Sequence, residues 1–238
     1  MTTLARSVND APSLPGRIEA ARSRIGKAAE RSGRRAAAVT LVAVVKTVAE
    51  EVVREAVELG LRDLGENRVQ EAERHVAAVG RGAARWHMVG HVQRNKAGRA
   101  TELFDRIHSL DRVELAVALS RHAAALGRAV PALIEVNVGG EPGKFGVAPE
   151  GLEALLAQVI ALPGLRVDGL MTVGPPVERA ESARAGFARL RALRDRAERA
   201  LGLALPELSM GMSGDFEVAV EEGSTLVRVG AALFGPRA

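Results

Sequence analysis

Short uninterrupted apolar runs alternate along this chain with longer stretches in which apolar residues recur every three or four positions. A brief apolar run bounded by turn residues reads as a buried strand, and the three-to-four spacing reads as a helix with one packed face. Leu14, Ile18, Ile25 and Ala29 have the helical spacing and predict an opening helix over residues 14–32. Strands are then expected at 40–45, 62–67, 86–90, 106–110, 132–138, 165–173, 207–210 and 225–230. Between them the pattern predicts helices at 51–61, 69–79, 93–103, 111–127, 149–162, 178–202 and 215–222. Gly60 and Gly127 are placed as helix stops and Asp111 as an N-cap. Strands that alternate with helices imply βαβ units and a parallel sheet. Eight of them in one domain, residues 1–238, predict a compact (β/α)8 TIM barrel preceded by an extra helix. An open doubly wound sheet is the rival architecture.

Polar side chains are scarce inside the apolar runs and gather near their C-terminal ends. Lys46, Asn67, His87, His108, Asn137, Thr172, Ser209 and Arg228 all fall there. That is the end at which a (β/α)8 barrel builds its site. The run LVAVV (41–45) meets an ammonium group at Lys46. The chain contains 29 arginines and four lysines, so arginine serves as its general cation. A guanidinium stays protonated and cannot attack a carbonyl, which singles out Lys46 as an amine for covalent chemistry.

After the last two strands come GMSGD (211–215) and GAALFG (230–235). Loops after strands seven and eight of such barrels often hold phosphate through backbone N–H groups, and small residues let the backbone approach. Ser213, Gly230 and Ala231 are therefore expected to form a phosphate cup. An amine, a phosphate cup and a strand-borne arginine together suggest a phosphorylated aldehyde, with pyridoxal 5'-phosphate the obvious one. Lys46 would hold it as a Schiff base, with burial favouring the neutral amine. Arg228 would face the pyridine nitrogen, where it donates a hydrogen bond but accepts no proton, so the ring stays unprotonated.

Composition narrows the alternatives. With no cysteine there are no disulfides, thiolate metal sites or cysteine nucleophiles. The N-terminal stretch has no apolar signal-peptide core, and the longest uncharged apolar run, 36–45, is far short of the ~20 residues of a membrane helix. A cytoplasmic protein that inserts in no membrane is expected. The net charge of +4 invites a nucleic-acid reading. However, most arginines sit among Ala and Glu in helical patterns, and with no Tyr and one Trp there are few stacking platforms, so no nucleic-acid partner is expected. His87 and His91 are four apart but straddle a strand end, so no metal site is assigned.

The stretches VAVVKTV, LGENRVQEA, WHMVGHVQRNKAG, IHSLDR, IEVNVGGEPGKFGV, GLMTVGP and LSMGMSGDFEVAVEEGSTLVRVGAALFG resemble the pyridoxal phosphate homeostasis proteins. These are single-domain relatives of the alanine racemase N-terminal barrel, of pyridoxal-phosphate fold type III, and the likeness runs from about residue 40 to 235. The resemblance implies a Schiff base on Lys46 and phosphate held by Ser213 with the Gly230–Ala231 backbone. It also implies Arg228 at the pyridine nitrogen, Asn67 and His87 lining the pocket, and Lys144 as a second lysine in cofactor handling. Two departures stand out: Val45 where the family more often has serine, and Ala231 where it usually has threonine.

The expected role is carriage or buffering of pyridoxal 5'-phosphate (vitamin B6), with delivery to cofactor-requiring client enzymes and no dedicated reaction. A monomer is expected. The alternative is an amino-acid racemase of the alanine type. Racemases of this fold draw a tyrosine from a second domain, and this chain has no tyrosine, so Lys144 or a histidine would have to substitute. The enzyme reading outside the family is a phosphate-binding barrel using Lys46 as its Schiff-base amine.

Overall fold

A computed structural model describes residues 12–174 and 179–236. The first helix, α1 (Leu14–Arg31), buries Leu14, Ile18, Ile25 and Ala29, the spacing read above, and Ser13 caps its start. There follow β1 (Thr40–Val44), α2 (Glu50–Glu58), β2 (Asp63–Glu66), α3 (Val69–Val79), β3 (Arg85–Met88), α4 (Ala97–Leu103) and β4 (Arg106–Leu110). The second half comprises α5 (Val113–Ala125), β5 (Val130–Glu135), α6 (Leu152–Val159), β6 (Leu165–Met171), α7 (Arg184–Leu201), β7 (Glu207–Ser209), α8 (Phe216–Glu221), β8 (Leu226–Val229) and α9 (Ala231–Phe234). The eight strands pair in parallel in sequence order, and β1 closes onto β8 with Thr40 opposite Leu226. The result is a (β/α)8 barrel with one extra N-terminal helix.

Side chains alternate across a strand, so each strand feeds two cores. Outward residues such as Leu64, Trp86, Ile107 and Ile134 are fully buried in the layer between sheet and helices. The inner core is much smaller, formed by Val42, Val89, Leu133, Met171 and Leu226. Buried polar residues Asp63, His87, His108, Ser209 and Arg228 are joined by hydrogen bonds across the strands. Helix α1 lies outside, against α8 and α9, where Arg24 stacks over the Phe216 ring at 4.4 Å and pairs with Glu217 at 2.8 Å.

The element edges differ in a few places. Helices α4, α6 and α7 are each preceded by a turn of 3-10 helix, at Arg94–Lys96, Pro149–Gly151 and Ala180–Ala183. The expected start of the seventh helix at 178 lies outside the described residues. Asp111 does not cap α5: Arg112 takes that position, and the Asp111 carboxylate accepts from Arg112 at 2.5 Å instead. The short helix α9 has no counterpart in the sequence pattern.

Candidate functional site

Two residues beyond β1, the chain turns sharply. The Val48 amide donates to the Val45 carbonyl at 3.0 Å, leaving Lys46 and Thr47 at the centre of the turn. Thr47 has φ +63°, the only positive value at a non-glycine residue among those described. A β-branched residue in this region costs about 1 kcal/mol or more, so the turn must be held from outside. His75 on α3 holds it: Nε2 meets the Val48 carbonyl at 3.0 Å and Nδ1 bonds Glu66. Burial opposes charge on this imidazole, but Glu66 raises its pKa above the ordinary value. Half-buried Lys46 lines a cavity of about 290 Å³ together with Val44, Gly230, Ala231 and Phe234.

Ser213 stands at the same end of the barrel. Its Oγ accepts from the Gly230 amide at 3.2 Å and the Ala232 amide at 3.1 Å. The loop carrying it is pinned by Asp215, whose carboxylate accepts from the Met212 amide at 2.6 Å. Burial raises the Asp215 pKa, partly offset by that amide and by Arg228. A side chain at Gly230 would place Cβ 3.3 Å from the Val44 carbonyl oxygen, a tight fit that favours glycine between β1 and β8.

Arg228 points into the barrel from β8 and is 5% exposed. It donates to Ser209 Oγ at 2.6 Å and to the Thr172 carbonyl at 2.8 Å. Burial lowers its pKa to about 10, with Glu135 and Asp215 opposing the fall. The group therefore stays cationic at neutral pH and acts as a donor only.

The structure thus brings Lys46, Ser213, Gly230 and Ala231 together where β1 meets β8, with Arg228 just inside. Other expected site residues are not among the residues lining the Lys46 cavity. Asn67 lines a separate cavity of about 810 Å³ with Arg74, Met88, Gly90, His91 and Lys96. Lys144 sits on the loop after β5, paired with Glu141 at 2.7 Å, beside a Phe145 ring stacked on His91 at 3.8 Å. His87 faces the barrel interior, bonded to Asp63 and His108 at 2.9 Å each. His91 instead approaches Asp111 at 3.5 Å, so the two histidines of the 87/91 pair share no partner among the described contacts.

Residues 18–238 match the family model described as alanine racemase, N-terminal domain. A pyridoxal phosphate homeostasis protein of Aquifex aeolicus is 46% identical over 221 residues, spanning 93% of this chain and 97% of that protein. The chain belongs to the pyridoxal phosphate homeostasis protein family. Among solved structures, PipY of Synechococcus elongatus without pyridoxal phosphate superposes with a TM-score of 0.84 at 38% identity, over 94% of this chain and all of that one. PipY with pyridoxal phosphate bound gives 0.82 at 36% identity, with the same coverage.

Membership in the homeostasis family frames the two departures. Val45 is fully buried in the helix–sheet layer, an environment that suits its aliphatic side chain. Ala231 carries no hydroxyl, so Ser213 is the hydroxyl gathered on the Gly230 and Ala232 amides. Three groups at or near the site were missed by sequence reasoning. His75 falls within the predicted helix at 69–79 and Asp215 at the start of the one at 215–222, and nothing in the spacing marks either. Glu135 was visible as the single acid in the run ALIEVNV. It is pushed up to about 7 by burial and Asp111, with Arg228 acting against them.

Proposed function

We propose that this chain binds pyridoxal 5'-phosphate covalently, as a Schiff base on Lys46, and carries or buffers the cofactor for client enzymes without a dedicated reaction of its own. One observation supports this most directly: Lys46 lines the same cavity as Gly230 and Ala231, and the Gly230 amide is already gathered with that of Ala232 on Ser213. An aldehyde-reactive amine and a set of anion-seeking donors are what a phosphorylated aldehyde requires. The volume of about 290 Å³ lies at the small end of ligand pockets, suited to a single ring.

When bound, the cofactor supplies an aldehyde and an electron-withdrawing ring. The chain's own residues do the rest. Ser213 and the Gly230–Ala231 backbone bind the phosphate with the Ala232 amide beside them, His75 and the Val45–Val48 turn orient Lys46, and cationic Arg228 donates to the ring nitrogen. Asn67, His87 and Lys144 are proposed to act in cofactor handling from the mouth, the interior and the β5 loop. The absence of cysteine fits a cytoplasmic setting.

The test is borohydride trapping with pyridoxal 5'-phosphate followed by peptide mass mapping. The label is expected on Lys46, and Lys46→Ala should abolish both label and visible absorbance. A label that persists on Lys144 in that variant would overturn the assignment.

Glu135 supports the racemase as a second reading, because a carboxyl pushed up to about 7 by burial can both take and give a proton at neutral pH. Exchange of the α-hydrogen of alanine in deuterated water, lost in Glu135→Gln, would establish that activity. Absence of exchange in the parent protein would dismiss it.

A further inference from the structure

The barrel interior contains an unbroken line of hydrogen bonds running the height of the sheet. Arg228 donates to Ser209 Oγ at 2.6 Å, and Ser209 Oγ lies 2.8 Å from His108 Nδ1. His108 Nε2 lies 2.9 Å from His87 Nδ1, and His87 Nε2 lies 2.9 Å from Asp63 Oδ1. Arg85 closes the line with two bonds to the Asp63 carboxylate, at 2.7 and 2.6 Å. Asp63 and Arg85 begin their strands, so the line ends at the mouth opposite Lys46, where a cavity of about 290 Å³ is lined by Asp63, Arg85, His87 and Arg106.

The chemistry at the ends gives the line a direction. A guanidinium only donates and a carboxylate only accepts, while a neutral imidazole has one nitrogen of each kind. Burial holds the His108 pKa well below the ordinary range, with the Arg228 and Arg106 cations acting the same way, so its ring is neutral. If each ring carries a single hydrogen, the Asp63 carboxylate, which only accepts, fixes one arrangement. Ser209 donates to His108, His108 Nε2–H donates to His87, and His87 Nε2–H donates to Asp63. Every acceptor end then points back towards Arg228, and the carboxylate at the far mouth terminates the series.

Such a line is expensive as packing. Val42, Leu133, Met171 and Leu226 show that this interior accepts aliphatic side chains, which need no partners. A buried arginine has a different need. Its cation must be stabilised and its fork held in one orientation, and an aligned series of dipoles ending on a carboxylate does both.

We propose that Ser209, His108, His87 and Asp63 are positioning residues for Arg228, forming a one-way hydrogen-bond line, anchored at the opposite mouth, that keeps the guanidinium aimed at the ring nitrogen of the bound cofactor. The last clause rests on the function proposed above; the line itself does not.

Two measurements separate them. Long-range nitrogen–proton spectra of the cofactor-free protein at neutral pH should show His87 and His108 both neutral and protonated on Nε2. A charged ring, or a proton on Nδ1 of either, overturns the line. Next, the parent, His108→Leu, His108→Gln and Asp63→Asn are loaded with pyridoxal 5'-phosphate and compared at equal trapped occupancy of Lys46. His108→Leu and Asp63→Asn should each shift the pH midpoint of cofactor absorbance and weaken binding on the order of tenfold, while His108→Gln, which keeps an acceptor and a donor in series, stays within about threefold of the parent. Unchanged midpoints in His108→Leu and Asp63→Asn, with only melting temperature reduced, would make the line mere packing and overturn the proposal. If His108→Leu does not fold, Asp63→Asn decides alone. If the parent takes up no cofactor, the proposed function fails, and the imidazole spectra still judge the line.

Discussion

The Ser213 hydroxyl oxygen collects the amide hydrogens of Gly230 at 3.2 Å and Ala232 at 3.1 Å, joining the loop after β7 to the end of β8. A phosphate oxygen bound beside that hydroxyl would accept its hydrogen and compete with it for the two amides. Hydrogen bonds to charged groups are worth about 1.5–3 kcal/mol, so Ser213→Ala should raise the dissociation constant for pyridoxal 5'-phosphate by roughly ten- to a hundredfold. Titration by absorbance checks this, and an unchanged constant would place the phosphate elsewhere.

Gly90 should tolerate no side chain. A Cβ there would lie 2.3 Å from the Asn67 carbonyl oxygen, and the obstacle is backbone that cannot rotate aside. Gly90→Ala is expected to destabilise the protein by about 1–3 kcal/mol or more, and to displace Asn67. Urea unfolding gives the number; a loss below the error of that measurement would mean the β2 and β3 loops are not in close contact.

His75 couples the Lys46 turn to a buried carboxyl. Replacing it with phenylalanine leaves Glu66 without its imidazole partner, a loss of about 3–5 kcal/mol for a broken buried pair. The double variant His75→Phe, Glu66→Leu should recover much of that stability while Lys46 labelling stays slow, because the Val48 carbonyl remains unheld. Normal labelling in the double variant would show that the turn keeps its shape unaided.

Glu135 sets a pH dependence. Its folded-state pKa is raised to about 7, whereas in the unfolded chain it releases its proton in the ordinary carboxylate range. Between those values the unfolded state binds fewer protons, so stability falls as pH rises from about 4.5 to about 7, by roughly 3 kcal/mol. Glu135→Gln should flatten that fall and exceed the parent in stability at about pH 8. Parallel urea-unfolding profiles across this range would show that the carboxyl titrates normally.

Much of this molecule is legible from periodicity. Leu14, Ile18, Ile25 and Ala29 announce α1, and LVAVV announces β1, because alternation and helical spacing are local consequences of burying one face. Family-bearing segments such as GMSGD and VRVG also lie within short stretches, so Lys46, Ser213, Gly230 and Ala231 could be named together. His75 could not, since its role exists only once α3 packs beside the β1 turn.

What the sequence by itself determined was the order of eight strands and eight intervening or leading helices, and an amine set apart from the arginines. It also determined the small residues that let two backbones approach. Tertiary structure alone decided that His87 turns inward to Asp63 and His108 while Asn67 opens on a separate cavity. It likewise decided that Arg228 ends a line begun at the opposite mouth. The physical reason is that closure of the barrel brings residues 63, 87, 108, 209 and 228 into one interior, and hydrogen bonds between strands far apart in the chain leave no trace in local spacing.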